Sequence, residues 1–134
     1  MFNLSERVAA TQATKDRFGG TAFAWGRADC IVMAHFHLAQ LGYPVPALPH
    51  YRSAAGGVRA LKAIGFATVS DLLDTLLEPI PHANILPADL ALMEGQKPFD
   101  ALAVCAGRKL IGWHEDHDIL VNLIPRAIKR AWRV

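Results

Sequence analysis

Cysteine is scarce in this chain: two among 134 residues, in unlike settings. That excludes a disulfide framework and points to synthesis in a reducing compartment. An excess of either charge is also missing. Fourteen Lys and Arg against twelve Asp and Glu leave a formal +2, and no basic cluster with interleaved aromatics occurs. No nucleic-acid partner is therefore expected. No apolar run approaches the length of a membrane span. The opening MFNLSERVAATQ lacks the apolar core of a secretory signal, so an extracellular role would require another export route, such as incorporation in a particle. Repeats, low-complexity segments and composition breaks are absent too. The length suits one compact domain over residues 1–134.

What is present is an ordinary core complement, 52% hydrophobic, in two textures. The first half reads as helices. Residues 3–17 are expected to form one, capped by Asn3 or Ser5, with Leu4, Val8 and Thr11 on one face and Phe18-Gly19-Gly20 as its end. After the loop TAFAWGRA, Asp29 is placed to cap a second helix in which Ile31, Ala34, Leu38 and Leu41 recur at helical spacing until Gly42. The proline-rich YPVPALPHY reads as an extended connection. Residues 53–64 predict a third helix, weakened by Gly56-Gly57, and residues 69–79 a fourth, capped by Ser70 and stopped by Pro79.

Beyond Pro87 the pattern turns to strands. ADLALME, ALAVCAG, KLIGWH, DILVNLI and AWRV predict four or five short strands, mostly antiparallel because their links are short. The basic close IPRAIKRAWRV reads as a solvated edge. Helices first and strands second make an α+β fold. Gly107-Arg108 suits a two-residue turn with glycine at the first central position. Ala106 then faces Lys109, and counting outward places His114 opposite Ala101. A one-residue change in the turn would pair His114 with Leu102 instead.

Cys30 follows the capping Asp29, in the first helical turn, where backbone N–H groups and the helix dipole favour a thiolate. Arg27 adds to that. The alternative is a small buried core residue, the usual fate of a lone cysteine. Cys105, inside an apolar strand, reads as core. A thiolate nucleophile needs an imidazole. His35 points away along the helix of Cys30, and His37 lies two turns off. His50 and His82 fall in proline-rich connections. His114 and His117 flank Glu115 and Asp116, a pattern that reads as an exposed polar turn, with no second ligand pair at metal-site spacing. Neither metal nor cofactor is expected.

Three segments, FAWGRADC, PADLALME and ALAVCAGRKLIGWH, together resemble the NlpC-type papain-like cysteine peptidases. That family carries an aromatic-x-Trp-Gly loop, an Asp-Cys at a helix start, a Gly-Asp strand and a hairpin bearing histidines. Most similar is a phage-associated branch encoded among tail genes, which ends in Ala-Trp-Arg-hydrophobic, like Ala131-Trp132-Arg133-Val134 here. The resemblance implies a papain-like fold with N-terminal helices packed on a C-terminal antiparallel sheet. It implies Cys30 as nucleophile and Phe23, Trp25, Gly26 and Asp29 along the substrate groove; taken by itself, a tryptophan before a helix such as Trp25 also reads as a hydrophobic plug. Asp89 matches the aspartate that opens the first central strand. The family's base position falls at Ala101, and His114 matches the third, orienting residue to within one position, so His114 is the candidate partner of Cys30. Trp113 and Trp132 read as core or interface aromatics. The implied function is a tail-tip or hub protein with a peptidoglycan endopeptidase-like domain, synthesised in the host cytoplasm and located in the virion, with other tail proteins as partners. The alternatives are a structural tail component on the same fold and a host cytoplasmic cysteine hydrolase or acyltransferase.

Overall fold

The structure is a computed structural model that describes residues 1–95, 98–113, 119–123 and 127–134. Four helices precede most of the sheet: α1 (Leu4–Phe18), α2 (Cys30–Gln40), α3 (Ala54–Ala63) and α4 (Val69–Leu76). The strands are β1 (Glu78–Ile80), β2 (Leu90–Met93), β3 (Ala101–Cys105), β4 (Leu110–Gly112), β5 (Val121–Leu123) and β6 (Ile128–Arg133). They form one antiparallel sheet in the order β1-β6-β2-β3-β4-β5. The expected α+β class is what the chain adopts.

Local signals set the helix starts. Asn3 caps α1 reciprocally: its side chain accepts the Glu6 N–H at 2.8 Å and the Glu6 carboxylate accepts the Asn3 N–H at 2.8 Å. Asp29 caps α2, as expected, and Ser53 caps α3. The cap of α4 is Thr68 rather than Ser70, and the helix ends at Leu76 rather than running to Pro79. Pro79 disfavours helix at the residue before it, so Leu77 is already extended and Glu78–Ile80 becomes an edge strand, where a missing N–H is tolerated.

The orientation of α1 departs from expectation. Leu4 and Val8 face solvent, while Arg7, Ala10, Thr11, Thr14 and Phe18 face inward. An apolar-periodicity reading misses this because the buried stripe is largely polar and gains its stabilisation from specific bonds. The other correction concerns the basic close. Strand β6 lies between β1 and β2, with Trp132 fully buried. Each of its cations finds a distant carboxylate: Lys129 with Asp100 at 2.9 Å, Arg130 with Asp74 at 2.8 Å, Arg133 with Asp89 at 2.9 Å. A run of cations can therefore line an interior strand.

One sheet face carries Leu90, Leu92, Leu102, Val104, Ile111 and Trp132 and packs under the helices with Ile31, Met33, Leu38, Leu72 and Leu73. The other face carries a smaller cluster of Ala91, Ala103, Cys105 and Leu110. The β3–β4 hairpin keeps the expected register. Cys105 opposes Leu110, the Ala106 N–H donates to the Lys109 carbonyl at 2.8 Å, and Gly107 takes φ +91°. His114 and His117 lie outside the described residues, and so does the expected facing of His114 and Ala101. Cys105 is core, as expected.

Candidate functional site

The loop FAWGRADC closes on itself before α2. The Arg27 and Ala28 N–H groups donate to the Ala24 carbonyl, leaving Trp25-Gly26-Arg27 at the tip. Gly26 sits at φ +80°, in the left-handed region that favours glycine, and an added Cβ would stand 1.9 Å from the Tyr51 carbonyl oxygen. Asp29 joins these pieces. Its Oδ1 accepts the Val32 N–H at 2.8 Å; its Oδ2 accepts the Gly26 N–H at 2.8 Å and the Tyr51 O–H at 2.7 Å. Asp29 has no exposed surface, so it ties loop, helix and the Tyr51 segment together instead of lining a groove. Burial, with the Asp29 charge and hydrogen bond behind it, holds the Tyr51 phenol protonated.

Phe23, 38% exposed, stands edge-on to Trp25 at 4.9 Å between centroids and to Trp113 at 6.0 Å. Trp25 also meets Phe99 at 5.6 Å, and Trp113 meets Phe18 at 5.9 Å while donating its indole N–H to the Thr21 carbonyl. The expected groove residues Phe23 and Trp25 thus form part of an aromatic wall. Phe99 belongs to it as well, and no sequence signal marked it.

Cys30 is the first residue of α2, as expected, and α2 lies against β3. Its electrostatics reverse the expectation. Burial pushes the thiol up to about 11 and the Asp29 carboxylate adds to the rise, against downward pulls from the backbone N–H groups of Leu102, Cys30 and Ile31. Arg27, expected to favour the thiolate, is exposed and is not among these influences. The first-turn effect exists, but desolvation outweighs it.

Its neighbours follow from strand alternation. Leu102 shares a face with Val104, toward α2; Ala101 shares a face with Ala103 and Cys105, on the other side of the sheet. A side chain directly opposite Ala101 projects to that far face too. An imidazole that reaches Cys30 must therefore come from the Leu102 face or from outside the regular ladder. The candidate partner His114 and the next candidate His117 are not among the described residues.

The sequence reading passed over two buried polar assemblies behind the site. Asp89 accepts from Arg7 Nη1 at 2.8 Å, Arg133 Nε at 2.9 Å and the N–H groups of Leu86 and Val134 at 2.9 and 3.0 Å. His37, fully buried, bonds Thr14 Oγ1 through Nδ1 at 2.7 Å and the Ala88 carbonyl through Nε2 at 2.8 Å. The carbonyl can only accept, so Nε2 carries the proton and the Thr14 hydroxyl donates to Nδ1. Gln40 in turn donates to Thr14 Oγ1 at 2.8 Å. A histidine two turns from Cys30 is thus a structural pin between α1, α2 and the entry to β2.

Burial holds the His37 imidazole below its ordinary value of 6.5. The unfolded chain then binds a proton on His37 at a higher pH than the folded one does. Its contribution to stability is complete above about pH 6.5 and is lost as pH falls below that, by at most about 1.4 kcal/mol per pH unit. Urea midpoints should decline between pH 7 and 5, and His37→Gln, which cannot titrate, should flatten the decline. The same slope in both proteins would assign it to other groups.

Among the described residues, no group of three or more His, Cys, Asp or Glu is placed to hold a metal ion, and no helix is long and apolar enough to cross a membrane. Residues 4–134 match the model of a family described as a domain of unknown function, DUF6950. No curated protein matches the chain.

Proposed function

The chain belongs to the DUF6950 family, and we propose that it is a phage tail-tip or hub component built on a papain-like domain of the NlpC type, whose Cys30 site serves binding to neighbouring tail proteins instead of cleavage. The tail assignment rests on the resemblance at residues 23–30 and 131–134. The papain-like reading is supported by a cysteine in the first turn of a helix that lies against a central antiparallel strand. The observation that carries the non-cleaving part is the Cys30 thiol itself. Desolvation pushes it up, its sulfur meets the backbone N–H of Leu102, and the β3 side chain that faces α2 there is Leu102, which cannot act as a base.

A second reading keeps peptidoglycan cleavage. Three backbone N–H groups, those of Leu102, Cys30 and Ile31, bear on the sulfur and already favour the thiolate. Donors of this kind would also stabilise an oxyanion formed when Cys30 attacks a stem-peptide carbonyl. His114, which the β3–β4 register counts opposite Ala101 on the far face, would have to reach Cys30 from outside that ladder, take the thiol proton and return it to the leaving amine.

Timed alkylation with iodoacetamide separates the two. A thiol titrating near 11 instead of 9.0 holds about 100-fold less thiolate at neutral pH. Cys30 in the folded protein should therefore be modified about 100-fold more slowly than in the urea-unfolded chain. Fast labelling of Cys30, abolished by His114→Ala, would overturn the binding reading in favour of the peptidase. Purified virions should contain the chain; its confinement to infected-cell lysate would overturn the tail assignment.

A further inference from the structure

Away from the sulfur, a cavity of about 480 Å³ opens between the segment entering α3 and one side of that helix. That volume is within the range of small-ligand sites. His50, Tyr51, Arg52, Ser53, Gly56 and Arg59 contribute to its walls, and none of the lining residues is acidic. Two guanidinium groups therefore share one concave surface. Among the described residues neither Arg52 nor Arg59 has a carboxylate partner, in contrast to Arg7, Arg130 and Arg133, which all do.

The arrangement is ordered. Arg52 Nε donates to His50 Nε2 at 3.2 Å, which makes that nitrogen an acceptor, places the ring proton on Nδ1 and leaves the terminal Arg52 nitrogens for another acceptor. Arg59 folds back over the start of α3, where its Nη2 stands 3.8 Å from the position a Cβ on Gly56 would take. That same Cβ would lie 3.1 Å from both Ser53 Oγ and Tyr51 Cβ, so a larger residue would crowd this floor. Glycine inside a short helix is destabilising, and at Gly56 it leaves the floor of the cavity uncrowded. Tyr51 has a double role: it lines the cavity while its hydroxyl bonds Asp29, the cap of the helix that begins at Cys30.

We infer that this cavity is a binding site for a small ligand bearing an oxyanion, a carboxylate or a phosphate, held by Arg52 and Arg59 together. Guanidinium forks match either group with paired, charge-assisted hydrogen bonds. The inference stands whether or not Cys30 cleaves anything.

The test is titration of the folded protein with inorganic phosphate and, separately, with tricarballylate, followed by amide NMR at roughly 20 mM salt, where screening is weak. The expected result is saturable binding of at least one probe at one site, with shifts centred on residues 49–60. Tighter phosphate binding identifies a phosphate group as the natural recognition element; tighter tricarballylate binding identifies a carboxylate. Both arginines are exposed, so Arg52→Gln and Arg59→Gln should leave the melting temperature unchanged while each weakens binding at least tenfold. Failure of both probes to saturate by about 10 mM, or undiminished affinity in either variant, would overturn the proposal.

Discussion

Asp89→Ala should remove about 3–5 kcal/mol of folding stability, the range for stripping one partner from a buried ion pair. The carboxylate has no exposed surface, and the Arg7 side chain it pairs with is 3% exposed. Arg7 also donates to the carbonyls of Pro87 and Val134, at 3.1 and 2.9 Å, so its guanidinium is fixed in place and cannot swing to water. Alanine at 89 would leave that charge unpaired and strand the N–H groups of Leu86 and Val134. Folded domains hold only about 5–15 kcal/mol in total, so the variant should lose a large part of its margin. Asp89→Asn, which keeps the shape and one acceptor oxygen, should fall between the two. Urea unfolding measures all three proteins. A loss below about 1 kcal/mol for Asp89→Ala would mean that the network adds little beyond the packing around it.

The second large effect is expected at Gly26. Alanine there meets left-handed backbone strain and a Cβ position 1.9 Å from the Tyr51 carbonyl oxygen, a distance no real contact sustains. The loop or the Tyr51 segment must move, and both are tied to Asp29. A loss of about 3 kcal/mol is expected. Gly42 is the matched control: φ is +89° and nothing lies within 4 Å of an added Cβ, so Gly42→Ala should cost about 1 kcal/mol from the backbone alone. Opening the loop also uncovers Cys30, so Gly26→Ala should speed its alkylation where Gly42→Ala does not. Equal destabilisation by the two substitutions would remove the steric argument.

Whatever depends on partners a few residues apart was legible in the chain before folding. The caps at Asn3, Asp29 and Ser53 are such cases, because a side-chain acceptor three residues before an N–H needs no tertiary context. The α+β order and the β3–β4 register belong with them, the register because Gly107-Arg108 fixes which residues meet across a two-residue turn. The position of Cys30 in a first helical turn was legible for the same reason. The upward push on its thiol was not. The dipole that favours a thiolate is local, whereas the desolvation that overrides it comes from elements packed around α2. The face of α1 that turns inward was chosen by Arg7 meeting Asp89 eighty-two residues away, and the interior place of β6 goes with the burial of Trp132 and the Arg133 pair with Asp89. His37 became a pin because Thr14 and Ala88 stand on either side of its ring. Buried polar contacts of this kind are decided only in the tertiary structure: a charged or imidazole side chain is costly inside unless a specific partner meets it, and no local pattern announces where that partner will come from.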